Sequence, residues 1–423
     1  MSADLGWETA PLRSRLVRVD AGRSPDLSDV PAGAGEWGVL KVSAVHTDGF
    51  RPSENKATGL ASALIEPRYE VHPGDLLFSR ANTPELVGSA CLVTDTSERL
   101  MLSDKTLRLV LDPGSADSRF VNICLASPSL RRQIGLASSG SSRSMQNISQ
   151  RAIEKLILNW PSLDEQRRIV EVLDAVQESE RATQAVIGKL RVLRLNAVSA
   201  EFSTLAEIGN SVQIRWVPVK EAGSVRMGKQ LSPEGRSSPG QHPYLRVANV
   251  LDDRIDYSDV KSMGFTNSER QVYSLHPGDI LLNEGQSLEL VGRSAIYEQE
   301  AGKFCFQNTL VRFRPGDGLL SRYAQAVFDD WLRTGKFAQI AKQTTSIAHL
   351  GGERFGALQF PLLPVDEQRR IVELLEFWDA RISSEESALR KLRDLKRGLM
   401  GDLLAGTVLV GERDQGSVVS LGK

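Results

Sequence analysis

The stretch DEQRRIVE occurs at 164–171 and again at 366–373. So long an identity within one chain marks an internal duplication, and the rest of the sequence can be laid out from it. Downstream the register holds, with Lys189-Leu190-Arg191 matching Lys391-Leu392-Arg393. Upstream, His72-Pro73-Gly74-Asp75 matches His276-Pro277-Gly278-Asp279. Each is followed by Glu-Leu-Val-Gly, at 85–88 and at 289–292. LKVSAV at 40–45 resembles LRVANV at 245–250, and Thr106-Leu107 pairs with Thr309-Leu310. The chain reads as one order used twice: a unit over 1–160, a helical segment over 161–205, a second unit over 206–363, a second helical segment over 364–405, and a tail over 406–423 with no assigned role.

The helical segments are the clearest local signal. Ile169, Leu173, Val176, Glu180, Thr183, Ile187, Leu190, Arg194 and Ala197 alternate spacings of four and three. So do Ile371, Leu375, Trp378, Ile382, Glu385, Leu389, Leu392, Lys396, Leu399 and Leu403. That is the seam of a coiled coil. Each segment opens on proline and then acids, Pro161 before Asp164-Glu165 and Pro364 before Asp366-Glu367. Proline ends what precedes, and early carboxylates suit a helix N-terminus. The matched phasing, with polar seam positions such as Glu180 and Glu385, predicts that the two helices pair within one molecule. The units between them contain short apolar runs bounded by Gly, Pro, Asp and Asn: GVLKVSAV, GDLLFSR, LVGSACLV and KTLRLVL, then PYLRVANV, GDILLN, LVGRSAIY and NTLVRFRP. Such runs read as strands. Each unit closes with a helical stretch, near 117–137 and 318–342. The predicted class is α+β: two α/β units joined by two long antiparallel helices that form an intramolecular coiled coil with pseudo-two-fold symmetry.

Composition narrows the function. The 423 residues carry 52 basic and 53 acidic side chains, for a formal net charge of −1. That excludes a protein binding nucleic acid mainly through bulk charge, though local basic faces can exist within a balanced total. No apolar run is long enough to cross a membrane. The stretch MSADLGWETAPLRSR has an early acid and no apolar core, so a secretory signal is not expected. Three dispersed cysteines, Cys91, Cys124 and Cys305, form no Cys-x-x-Cys pair. A disulfide framework and a cysteine zinc site are not expected, and a reducing cytoplasm fits.

Catalytic signatures are missing. Gly33-Ala34-Gly35-Glu36-Trp37-Gly38 matches G-x-G-x-x-G in form but precedes a strand, so it reads as a loop. There is no P-loop and no Asn-Pro-Pro-aromatic run. Pro25-Asp26 with Glu54-Asn55-Lys56 loosely imitates a metal-dependent nuclease core, but the second unit has no counterpart. The 5 histidines show no metal-ligand spacing, and no metal site is expected. The repeated His-Pro-Gly-Asp reads as a turn whose Asp bonds to the turn backbone rather than as an acid–base pair.

Polar loops are the better candidates. Ser141, Ser142, Arg143, Gln146 and Asn147 lie in a flexible stretch before the first helix. Thr344, Thr345 and His349 lie in the matching stretch before the second. Arg80 and Asn82, and Asn283 and Gln286, follow the His-Pro-Gly-Asp strand in the two copies, with Lys105 and Asn308 nearby. Hydroxyls, amides and isolated bases of this kind suit phosphate and base-edge contacts.

These residues carry a resemblance. Two divergent units, each followed by a helix opening on the DEQRRIV stretch, with PYLRVANV, HPGDILL, QNTLVRFRP and PLLPVDEQRRIVELL, resemble the specificity subunit of type I restriction–modification systems over nearly the whole chain. One departure is that the loop before the second helix reads Gln343-Thr344-Thr345, where the family's is rich in glycine and threonine. The resemblance implies two target recognition domains, each reading half of a split DNA site. It implies helices that act as a ruler and dock two methyltransferase subunits, with Gln166, Arg167, Arg168, Gln368, Arg369 and Arg370 as partner-facing candidates. It implies no catalysis and no cofactor in this chain. S-adenosylmethionine would sit in the methyltransferase, and ATP and Mg in a restriction subunit where one joins. A cytoplasmic role in DNA methylation and phage defence follows. Antiparallel helices with about 60 Å of length can hold two domains about one DNA turn apart. The divergence of the two units implies unlike half-sites, and the near-neutral charge implies that partners supply much of the phosphate affinity. Two alternatives stand beside this: an adaptor in another methyltransferase-based defence system, and a coiled-coil scaffold that binds no DNA.

Overall fold

The computed structural model describes residues 7–25, 27, 29–59, 65–95, 99–142, 145–207, 214–231, 240–343 and 347–408. Its long helices run Leu163–Glu207 and Val365–Ala405. The chain divides into two units, 1–183 with 388–423, and 184–387. Each unit therefore contains one α/β body and a portion of both helices.

In the N-terminal unit a four-stranded antiparallel sheet has the order Leu16–Ala21, Thr106–Leu111, Leu76–Ser79, Ala90–Leu92. One face packs on the helices Ser118–Ala126 and Pro128–Ala137, through Leu76, Phe78, Leu107, Leu109, Phe120 and Ile134. The other face meets a smaller core of Leu40, Val45, Val71, Leu77 and Leu102. A ribbon pairing Glu8–Pro11 with Ile157–Trp160 closes the body just before the first long helix. That helix packs Ile169, Val170 and Leu173 into the same core as Leu399, Met400 and Leu403 of the second. Lys396 reaches across to Gln177 at 3.1 Å and Glu180 at 3.2 Å.

The C-terminal unit repeats the scheme. Its four-stranded sheet has the order Gly223–Met227, Leu310–Pro315, Ile280–Asn283, Ser294–Ile296. The helices Ser321–Arg333 and Lys336–Ile340 cover one face, and a ribbon of Arg215–Pro218 with Gln359–Leu362 closes the body. Ile371 and Leu375 share its core with Val198 and Phe202. Arg194, at the seam position matching Lys396, bonds Asp379 at 2.6 Å and Asp253 at 3.1 Å. Arg322 bonds the same two acids and closes a ring of four charges. The expected α+β class and the antiparallel pairing of the helices are thus present in each unit.

Local chemistry explains the repeated motifs. Asp75 Oδ2 accepts the His72 N–H at 2.9 Å, and Asp279 Oδ2 accepts the His276 N–H at 2.8 Å, as the turn reading requires. Gly88 and Gly292 have φ of 74° and 86°, and an added Cβ would lie 2.5 Å from Ile134 and 2.2 Å from Phe337. Only glycine combines that φ with so close a neighbour.

The structure corrects several details. GVLKVSAV and PYLRVANV are not continuous strands. Each stops at Leu40 or Leu245 and turns through a 3-10 segment, Val42–Ala44 or Val247–Asn249. In the second, the Asn249 side chain accepts from the Arg246 N–H at 3.1 Å and so fixes the bend. The pairing of Thr106 with Thr309 slips by one. Thr106 stands opposite Ser79, but the residue opposite Asn283 is Leu310, so Arg108 matches Arg312. Side-chain alternation enforces this register, since a one-residue slip would turn the core face outward.

Candidate nucleic-acid interface

In the N-terminal unit the strand Leu76–Ser79 runs out through Arg80 into the short strand Ala81–Asn82. This joins a three-stranded sheet with Met145–Asn147 and Ser139–Ser142, with Gln146 opposite Asn82 and Asn147 opposite Ala81. The Arg80 N–H donates to the Lys105 carbonyl at 3.0 Å. Asn82, Gln146 and Asn147, far apart in sequence, therefore meet on one small sheet with the backbone of Ser141 and Ser142, and Arg80, bonded to Lys105, leads directly into it. Asn147 is exposed, and Arg80, Asn82, Lys105 and Gln146 are partly so. Arg80 forms no ion pair among the described residues. Arg143 lies outside the described residues, as do Thr344 and Thr345 of the second unit.

The C-terminal unit builds the same sheet from Gly285–Gln286, Ala348–His349 and Lys342–Gln343. Gln286 matches Asn82, and both use the side-chain oxygen alike. Asn82 Oδ1 accepts the next N–H at 2.9 Å, and Gln286 Oε1 does so at 3.2 Å. That leaves each amide NH2 as a donor. His349 matches Asn147, and its Nδ1 lies 3.0 Å from Glu284 Oε2. Glu284 is the counterpart of Arg80, and its N–H donates to the Thr309 carbonyl at 2.9 Å, as Arg80 does to Lys105. The sequence pairing of Lys105 with Asn308 thus becomes Lys105 with Thr309. Asn308 stays nearby, its N–H donating to the Lys229 carbonyl at 3.0 Å. Asn283 is fully buried and donates to the Val250 carbonyl at 3.3 Å, so it cannot touch a ligand at this surface. It occupies the last core position of its strand, where the matching Ser79 is also buried.

The helix candidates divide in two. Gln166 and Gln368 are fully buried, which removes them from any partner-facing surface. Gln166 Oε1 accepts the Asp117 N–H at 2.9 Å, while its NH2 donates to the Ser115 and Pro161 carbonyls at 3.1 and 3.0 Å. Gln368 makes the same three bonds, to the Leu320 N–H and the Gly318 and Leu363 carbonyls. Each glutamine fastens its body to the start of its helix. Arg167 and Arg369 are exposed, and among the described residues each pairs with the acid one turn earlier, Asp164 and Asp366. Arg168 is partly buried. Arg370 bonds Glu201 of the other helix at 3.0 Å.

Sequence reasoning missed a repeated apolar groove. In the C-terminal unit it is lined by Ser199, Phe202, Val327, Trp331 and Pro361. In the N-terminal unit it is lined by the matching Gly401, Leu404, Cys124, Pro128 and Asn159. Only the helix register reveals the match. The nuclease-like residues are structural: Asn55 accepts the Ala32 N–H at 2.8 Å and donates to the Pro52 carbonyl at 2.8 Å, and Glu54 accepts from Ser43. Asp26 lies outside the described residues. The three cysteines are buried free thiols, and burial pushes Cys91 up to about 12 and Cys305 to about 11. Among the described residues no helix is long and apolar enough to cross a membrane, and no group of three metal-ligating side chains occurs.

Fold and site together define a duplicated protein that presents one small polar sheet from each of two unlike bodies. It is similar to the specificity subunits of type I restriction enzymes. The type I restriction enzyme EcoEI specificity subunit of Escherichia coli is 34% identical over 171 residues, 40% of this chain. The match spans 29% of that relative's length. A chain from a structure of complex assembly and conformational transition of the type I R-M system superposes with a TM-score of 0.64 at 17% identity, covering 95% of this chain and 98% of that one. The HsdS subunit from Thermoanaerobacter tengcongensis gives 0.50 at 18% identity, covering 96% and 98%. The fold is shared with these chains. No protein-family model matches the sequence.

Proposed function

We propose that this chain is the sequence-specific DNA-recognition subunit of a type I restriction–modification complex. Each unit reads half of a bipartite, asymmetric site. The carrying observation is that one backbone sheet presents different chemistry at matched positions: Arg80 against Glu284, Lys105 against Thr309, Asn82 against Gln286, Asn147 against His349. Arg and Lys suit guanine, Asn and Gln suit adenine, and Glu accepts from cytosine, each well-placed pair discriminating by about 1–3 kcal/mol. Unlike side chains on a shared frame support unlike half-sites.

The chain itself is non-catalytic in this reading. A methyltransferase subunit brings S-adenosylmethionine, and a restriction subunit, where present, brings ATP and Mg. Two methyltransferase copies dock on the exposed Arg167 and Arg369 and on the paired grooves, whose repetition supports one partner binding twice. The complex works in the cytoplasm.

Methylation sequencing of DNA from cells expressing this chain with its methyltransferase is the test. The expected result is a split motif, two unlike halves around a fixed gap, that vanishes when the chain is deleted. An active methyltransferase whose motif persists without the chain would refute the reading.

A further inference from the structure

Both units bury an arginine at the same point of the four-stranded sheet, and they surround it differently. Arg108 stands opposite Asp20 across the ladder. It donates to Asp20 Oδ2 at 3.0 and 2.8 Å, to Asp75 Oδ2 at 2.9 Å, and to the Glu70 and Arg68 carbonyls at 2.8 and 3.0 Å. All its donating nitrogens are engaged, and two carboxylates face one guanidinium.

Arg312 is 4% exposed and stands opposite Arg226 instead of an acid. Directly opposed residues of an antiparallel pair share a face of the sheet. Asp279, the counterpart of Asp75, is taken by Arg314 at 2.6 and 2.8 Å. Arg312 Nε has no hydrogen-bond partner among the described residues, and its Nη1 lies 3.5 Å from the Ser274 carbonyl. Burial pushes this guanidinium down to about 10, the Asp279 charge opposes the shift, and the charges of Arg314 and Arg226 add to it. Arg312 and Arg314 thus face one carboxylate, with a third arginine opposite, where the other unit gives two carboxylates to its buried arginine. A buried cation short of acceptors is costly unless an anion supplies them. Arg226 itself is exposed.

We infer that Arg226 and Arg312 form an oxyanion site that takes one backbone phosphate of bound DNA. Arg312 is three residues from Thr309, whose carbonyl accepts the Glu284 N–H beside the polar sheet, about 10 Å away at the usual rise of an extended chain. A phosphate there would position the duplex without reading sequence. This assignment rests on the DNA-recognition reading, but the anion site can be tested apart from it.

The test uses the full chain, its R226Q variant and R226D, which recreates the arrangement of Asp20 with Arg108. Inorganic phosphate is expected to raise the melting temperature of the wild type and not of either variant. R226D without phosphate is expected to melt at or above the wild type, which a merely misfolded variant would not do. In duplex binding by fluorescence anisotropy, both variants should flatten the slope of log K against log salt by about 0.9, the loss of one phosphate contact. Equal phosphate responses in wild type and R226Q would overturn the site. A phosphate response with an unchanged salt slope would overturn the DNA assignment and leave a site for free anions. Failure of the chain to bind duplex even with its methyltransferase present would defeat the DNA reading, while the phosphate arm still decides the anion site.

Discussion

The two units share a plan of elements but fill it with different side chains. Leu125, Ile134, Ile153 and Leu158 line the N-terminal core, and Phe328, Phe337, Phe355 and Phe360 stand at the matching places of the C-terminal one. In the latter the rings meet edge to face, Phe328 lying 5.2 Å from Phe313 and from Phe355 between centroids. What the copies retain is where the backbone has no choice: the His-Pro-Gly-Asp turn, the glycine at a left-handed corner, and the glutamine at each helix start. A core needs volume and apolarity, which several side-chain sets supply, so it diverges readily. A turn needs one particular φ or one particular hydrogen bond, so it does not.

If the aromatic core is the more tightly coupled, its deepest ring should be the costlier to remove. Phe328→Ala is expected to destabilise the protein by about 3–5 kcal/mol. Leu125→Ala should fall lower, toward the 2 kcal/mol end of its own range, because edge-to-face pairs add about 0.5–1.5 kcal/mol beyond burial. Urea unfolding of the two variants measures both. Equal losses would mean that the ring geometry contributes nothing beyond volume.

A smaller effect should be the same in both units. Gln166→Leu and Gln368→Leu each leave one N–H and two carbonyls without their partner, and each should cost about 1–3 kcal/mol. Their hydrogen-bond sets match, so the losses should agree. A large difference between them would show that the two bodies are fastened to their helices by different means.

Much of this was legible in the sequence because it depends on neighbours along the chain. The helices, their seam and the His-Pro-Gly-Asp turn follow from spacing and from Pro, Gly and Asp chemistry. The polar sheet was legible only as loose loops, since Asn82 meets Gln146 through pairing of distant segments. Asn283 and Gln166 were misjudged for one reason: an amide on the surface and an amide satisfied inside a core look alike in sequence. Thr309 escaped because a one-residue register slip is invisible until strands pair, whereas Glu284 stands at the plain 204-residue offset from Arg80 but is an acid rather than a base. The arginine pair Arg226 and Arg312 likewise needs the ladder to bring it together.

The last comparison isolates one unit by pH. The helix Ser321–Arg333 carries Asp329 where its counterpart in the N-terminal unit has Ala126. Burial pushes the Asp329 carboxyl up to about 7, and Asp253 and Asp252 add to this, against the Ser294 hydroxyl and Arg194. The Ser294 Oγ–H donates to Asp329 Oδ1 at 3.1 Å. In the unfolded chain this carboxyl titrates near the ordinary 3.8. Between that value and about 7 the folded state holds the proton that the unfolded state has lost. The contribution of this group to stability is therefore full below about pH 4 and declines as the pH rises to about 7. Asp329→Asn cannot ionise. It should melt near the wild type at pH 4 and above it at pH 8, while an Ala126→Asn variant should show no such divergence. Parallel melting curves for wild type and Asp329→Asn across that range would show that the carboxyl is ionised in the fold and that its neighbours Arg194 and Ser294 outweigh its burial.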